Sequence, residues 1–274
     1  MKNINITSIL VLTLFSTIAI SSCKKDSKQN LANRNWQLVW SDEFDGLQGS
    51  LPDTAYWNFD LGNGDNGWGN AELQSYTKDT ANIRMDGNGH LQIVAIKSGT
   101  SFTSARITTK GKFEHKLGRI EASIKLPQGP GIWPAFWMLG SNIDSVSWPK
   151  CGEIDIMECR GQQPNIVHGS LHGPGYSGGN PVTKSYALSS GRFDTDFHLF
   201  AVEWDEVKID FFVDDYLYQR VNSKDVKGDW VYNQPFYLLL NIAVGGNFVG
   251  FPTSDTPFPQ TMNIDFVRVY NKIK

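Results

Sequence analysis

The stretch Gly118-Arg-Ile-Glu-Ala-Ser-Ile-Lys-Leu126 alternates with period two. Side chains of a strand point alternately to its two faces, so Ile120, Ala122, Ile124 and Leu126 share one face. Arg119, Glu121, Ser123 and Lys125 share the other. The same β-branched and aromatic character recurs in His90 to Ala95, Phe200 to Trp204, Ile209 to Val213 and Ile264 to Tyr270. Turn signals separate these runs: Asp86-Gly87-Asn88-Gly89, Asp205-Glu206 and Asp214-Asp215. No stretch of helical period is long enough to anchor a helix layer, and no internal repeat points to a propeller or solenoid. Many short strands with Gly-rich turns predict an all-β sandwich.

The chain has 274 residues, enough for one large β domain. A net charge of −3, with basic residues scattered, excludes a clustered basic face and so a nucleic-acid partner. At the N-terminus Lys2 precedes a mostly apolar run, Ile9 to Ile20, too short for a comfortable membrane span. Ile20-Ser21-Ser22-Cys23 has the form of a bacterial lipoprotein processing box. The predicted organisation is a signal peptide over 1–22, then a lipidated Cys23 with a polar tether over 23–34, and a β-sandwich domain over 35–274. It implies an exported, membrane-anchored protein of a bacterial envelope. Cys151 and Cys159 lie about 26 Å apart on one extended strand, too far to bond, and read as small buried apolar residues.

Chemistry concentrates in Cys151-Gly-Glu153-Ile-Asp155-Ile-Met157-Glu158-Cys159. On a strand Glu153 and Asp155 share one face, with Ile154 and Ile156 behind. Strict alternation would then turn Glu158 into the core, where an unpaired carboxylate is costly. A β-bulge near Met157 re-aims it to the side of the other two acids. Two such carboxyls can serve as nucleophile and acid/base of a retaining glycosidase, and Asp155 between them can share a proton or hydrogen bond with Glu153. The same three acids also fit a solvated edge strand or a cation site. Trp133, Trp137 and Trp148 lie close in sequence and suit stacking on sugar rings, with Asn70, Arg106 and His172 as polar partners. All three tryptophans are expected on the glycone side.

Leu38-Val-Trp-Ser-Asp-Glu-Phe-Asp45, Gly67-Trp-Gly-Asn-Ala-Glu-Leu-Gln74, Gly131-Ile-Trp-Pro-Ala-Phe-Trp137 and Gly152-Glu-Ile-Asp-Ile-Met-Glu158 occur in this order. His168-Gly-Ser-Leu-His-Gly173, Asn241-Ile-Ala-Val-Gly-Gly-Asn247 and Ile264-Asp-Phe-Val-Arg-Val-Tyr270 follow. With these motifs the chain resembles glycoside hydrolase family 16, in its laminarinase-like branch. The resemblance implies a β-jelly-roll sandwich of two antiparallel sheets with the substrate cleft on its concave face. It implies Glu153 as nucleophile, Asp155 as assisting acid and Glu158 as acid/base, and matches Met157 to a bulged form of the motif. Members often carry Trp where this chain has Phe248.

The resemblance further implies catalysis without a cofactor and a structural calcium ion on the convex side. Asp265 matches its carboxylate ligand, with Glu43 and the carbonyl of Gly87 as further matches; calcium favours such oxygen ligands. The implied function is that of a monomeric retaining endo-β-1,3-glucanase cleaving internal bonds of β-1,3 or mixed β-1,3/1,4 glucans. Two alternatives stay open: the same chemistry on an agar- or carrageenan-type galactan, and a glucan-binding protein without catalysis.

Overall fold

The structure, a computed structural model, describes residues 36–273. The predicted signal peptide, Cys23 and the tether lie outside them. The strands open with β1 (Trp36–Asp42), β2 (Asn58–Asp60), β3 (Gln74–Tyr76), β4 (Ile83–Met85), β5 (Leu91–Ser98) and β6 (Ser101–Ser104). Next come β7 (Arg106–Thr108), β8 (Gly118–Lys125), β9 (Ile132–Gly140), β10 (Glu153–Cys159), β11 (Ile166–His172) and β12 (Val182–Ala187). The last are β13 (His198–Trp204), β14 (Lys208–Val213), β15 (Tyr216–Asn222), β16 (Phe236–Val244) and β17 (Gln260–Lys272). The α-helix Ile143–Val146 is a single turn of 4 residues, so among the described residues no α-helix covers either sheet.

Seven strands pair in the order β12-β11-β10-β9-β16-β7-β2. Ten form the second sheet, β15-β14-β13-β8-β17-β5-β6-β3, with β1 added on β17 and β4 on β5. The predicted all-β sandwich is therefore present. One pairing departs from the expected antiparallel sheets: β3 runs parallel to β6. The cause is topological, because β4 and β6 both oppose β5 while β3 and β4 run the same way.

The interior lies between the sheets. Phe136, Met138, Ile154, Ile156, Leu238, Leu240 and Ile242 from the first meet Ile120, Ala122, Ile124, Phe200, Val202, Val267 and Val269 from the second in one cluster. At about 25 cal/mol per Å² of apolar area, this face-to-face burial is the main force holding the sheets together. The Asp214-Asp215 signal is a two-residue hairpin turn, with φ of 49° and 64° at the two positions and Val213 paired to Tyr216. Positive φ at both central residues gives the turn the twist that antiparallel strands need.

The apolar face of β8 points into the core as predicted. Its polar face is not solvated: Arg119 is 0% exposed and Glu121 1%. β8 lies mid-sheet between β13 and β17, whose side chains cover it. The buried guanidinium is balanced by Glu121 at 2.7 Å, Glu203 at 3.1 Å and Asp215 at 2.7 Å.

Candidate active site

β10 carries the acids along the outer face of the seven-stranded sheet. Its pairing with β9 shifts register between Asp155 and Met157, and that with β11 between Asp155 and Glu158. Ile156 and Met157 are consecutive yet both buried in the core. The chain thus contains the expected bulge, and Glu158 returns to the face of Glu153 and Asp155.

Indoles hold the two glutamates. Trp148 Nε1 donates to Glu153 Oε2 at 2.8 Å, and Trp133 Nε1 to Glu158 Oε1 at 3.1 Å. Ser170 Oγ donates to Glu158 Oε2 at 3.4 Å. Asp155 is the most buried of the three acids, at 3% exposure. His172 Nε2 lies 3.1 Å from Asp155 Oδ2 and 3.7 Å from Glu153 Oε1, inside the carboxylate cluster. Among the described residues, Glu153, Asp155 and His172 also place three potential cation ligands within 4.8 Å of one another.

Crowding and burial disfavour charge on all three acids. Burial, then the charge of Asp155, raises Glu153 to about 8, against the pull of His172 and the Trp148 N–H. Burial raises Glu158 to about 7; His172 opposes this and the charge of Glu153 reinforces it. Burial and the charge of Glu158 lift Asp155 well above the ordinary carboxylate range, and it hydrogen-bonds with Glu153. A cluster that retains protons near neutral pH can both give a proton to a leaving group and supply a carboxylate nucleophile.

The aromatic residues divide between the two flanks of β10. β9, β16 and β7 lie on one side of β10 and β11 on the other. Trp137 faces the first flank: its Nε1 donates to Asn241 Oδ1 at 2.8 Å, and the Arg106 guanidinium lies 4.8 Å from its ring. Arg106 is also 4.7 Å from the Trp68 ring and pairs with Asp60 at 2.8 Å. Trp148 leans instead toward His172 of β11, with ring centroids 6.1 Å apart. A long loop frees Trp148 from the strand that carries Trp133 and Trp137. Phe248 packs 5.1 Å from Trp133 and 4.3 Å from the Arg160 guanidinium.

Asn70 Nδ2 faces Glu72 Oε1 at 3.4 Å, and the Asn70 carbonyl accepts from Asn247 N–H. Sequence reasoning passed over Glu72, Tyr76, Trp68 and Asn241. A signal existed for Asn241, the one polar residue in the apolar run Phe236–Val244.

The residues matched to calcium lie away from the acids. Asp265 sits where the pairing of β17 with β8 shifts register. The β1–β17 ladder pairs Asp42 with Val267, which brings the following Glu43 alongside. Both Glu43 carboxylate oxygens accept from Arg268, at 2.9 and 2.7 Å. Gly87 has φ 80° in the β4–β5 turn. Cys151 and Cys159 are free and buried, as expected.

A β-sandwich with paired, proton-retaining glutamates between aromatic flanks defines a glycoside hydrolase. The family model for glycosyl hydrolases family 16 matches residues 65–268. The chain is 41% identical over 252 residues to the beta-glucanase of Rhodothermus marinus, covering 88% of this chain and 87% of that one. The laminarinase catalytic domain from Thermotoga maritima MSB8 superposes with TM-score 0.82 at 47% identity, covering 88% of this chain and 100% of the other. The laminarinase from Flavobacterium sp. UMI-01 gives TM-score 0.78 at 48% identity over 86% of this chain and 100% of the other. The protein belongs to glycosyl hydrolase family 16, whose catalysis needs no cofactor.

Proposed function

We propose that the protein is a retaining endo-β-1,3-glucanase that cleaves internal bonds of β-1,3 and mixed β-1,3/1,4 glucans. The observation that carries this is the bulge of β10, which gathers Glu153, Asp155 and Glu158 on one face beside Trp133, Trp137 and Trp148. Glu153, as carboxylate, attacks the anomeric carbon while Glu158 gives its proton to the departing glycosidic oxygen. A glycosyl ester on Glu153 results. Glu158, now ionised, takes a proton from water, which attacks the same carbon and releases Glu153. Asp155 lies between the two glutamates and hydrogen-bonds with Glu153, so the pair can share one proton. Trp137 with Arg106 on one flank and Trp148 with His172 on the other bind sugar rings by stacking and hydrogen bonds.

A role test separates the two glutamates. Glu153→Ala abolishes turnover, whereas Glu158→Ala keeps measurable activity on glycosides with good leaving groups, which need no proton. Equal loss on every substrate overturns the assignment, and NMR showing α product first overturns retention. On a polysaccharide panel, laminarin is cut internally, mixed-linkage glucan more slowly and cellulose not at all. Cleavage of agarose or carrageenan without laminarin replaces the substrate. Binding without cleavage makes the protein a glucan-recognition module.

Two further expectations belong to this reading. A calcium ion is held by Asp265 with the carbonyls of Glu43 and Gly87, and its removal by a chelator lowers Tm without changing the roles of the acids. Cys23 is lipidated after export, so Cys23→Ser releases the protein from the membrane fraction; unchanged fractionation counts against the anchor.

A further inference from the structure

We infer that Glu72, which no step of the reaction uses, is a positioning residue for the Trp137 flank of the cleft. The inference rests on the glucanase reading of that cleft. Glu72 is 8% exposed, and burial raises its carboxyl above the ordinary range. Its Oε2 accepts from Gln74 Nε2 at 2.6 Å and from the Tyr76 hydroxyl at 3.3 Å. The Tyr76 oxygen in turn accepts from Asn241 Nδ2 at 3.1 Å, and Asn241 Oδ1 accepts from Trp137 Nε1 at 2.8 Å.

The polarity of this chain is set at its inner end. While Glu72 is ionised it only accepts, so the Tyr76 hydroxyl donates to it and presents its lone pair to Asn241. The Asn241 amide is then held with its nitrogen inward and its oxygen toward the indole. Gln74 cannot reverse the order, because its Oε1 already accepts from Val244 N–H at 2.7 Å. The other carboxylate oxygen, Oε1, accepts from Asn70 Nδ2 at 3.4 Å. One buried acid thus orients two groups expected to meet the sugar, and neither contact involves the reacting carbon.

The test is a double-mutant cycle between Tyr76→Phe and Trp137→Phe, run on the polysaccharide that the wild type cleaves. Phe at position 137 has no N–H to orient. Tyr76→Phe alone lowers kcat/KM about fivefold or more, chiefly through KM, and by less than about twofold in the Trp137→Phe background. Glu72→Leu loses at least as much as Tyr76→Phe, and Glu72→Gln recovers part of the loss, since its amide oxygen still accepts from Tyr76 while its amide nitrogen cannot accept from Asn70. Equal losses in both backgrounds, or a lowered Tm with KM unchanged, overturn the inference. Should Glu72→Leu not fold, Tyr76→Phe and Glu72→Gln decide the matter. Failure of the glucanase reading is separate: it shows as a wild type that leaves laminarin intact.

Discussion

The three acids occupy a place that stability alone would not select. Glu153, Asp155 and Glu158 crowd one patch, and burial raises all of them. On the proposed assignment the productive form has Glu153 ionised and Glu158 protonated, and it disappears when rising pH removes that proton. The pH profile of kcat/KM therefore has its alkaline limb near 7, the value to which Glu158 is raised. An alkaline limb below pH 5 in the wild type would contradict the assignment. Stability follows the same linkage. A carboxyl with a raised folded pKa binds more protons folded than unfolded, so its contribution falls as pH rises from 4.5 through about 7 for Glu158. Glu158→Gln removes that dependence. Thermal melts should find the variant more stable than wild type at pH 8, by on the order of 1 kcal/mol, and nearly equal to it at pH 4.

At the scale of the element, one inserted residue decides where an acid points. Met157 adds a second consecutive inward side chain after Ile156, and Glu158 emerges on the cleft side. Deleting Met157 restores simple alternation from Asp155, so Glu158 still faces outward but one residue nearer to Glu153. The deletion variant folds and retains activity on activated aryl glycosides above that of Glu158→Ala. Activity no higher than that variant's would show that the bulge also sets the spacing of the acids. A second shift, at Asp265 in β17, does similar work for packing. Met262 and Ile264 before it, and Val267 and Val269 after it, all reach the core. A strict period of two would have turned one pair toward solvent.

Across the whole molecule, the same sheet order that buries the core also buries charge. Arg119 is closed in by Glu121, Glu203 and Asp215 from three different segments. Arg119→Ala leaves these acids without their cation and costs about 3–5 kcal/mol in chemical denaturation, far from the cleft and without altering KM. The β-sandwich, the bulge near Met157 and the gathering of the three acids on one face were legible in the chain alone. Period-two alternation and the penalty on an inward carboxylate are local rules, and local rules act within a few residues. The burial of Arg119, the parallel β3–β6 pair and the separation of Trp148 from Trp137 were not legible. Each depends on which strands become neighbours, and spacing along one strand does not encode that. The chain from Glu72 through Tyr76 and Asn241 to Trp137 joins β3, β16 and β9 with the segment just before β3. Only tertiary structure could place a donor beside each acceptor there, because a hydrogen bond needs atoms within about 3.5 Å and the sequence separates Tyr76 from Asn241 by 165 positions.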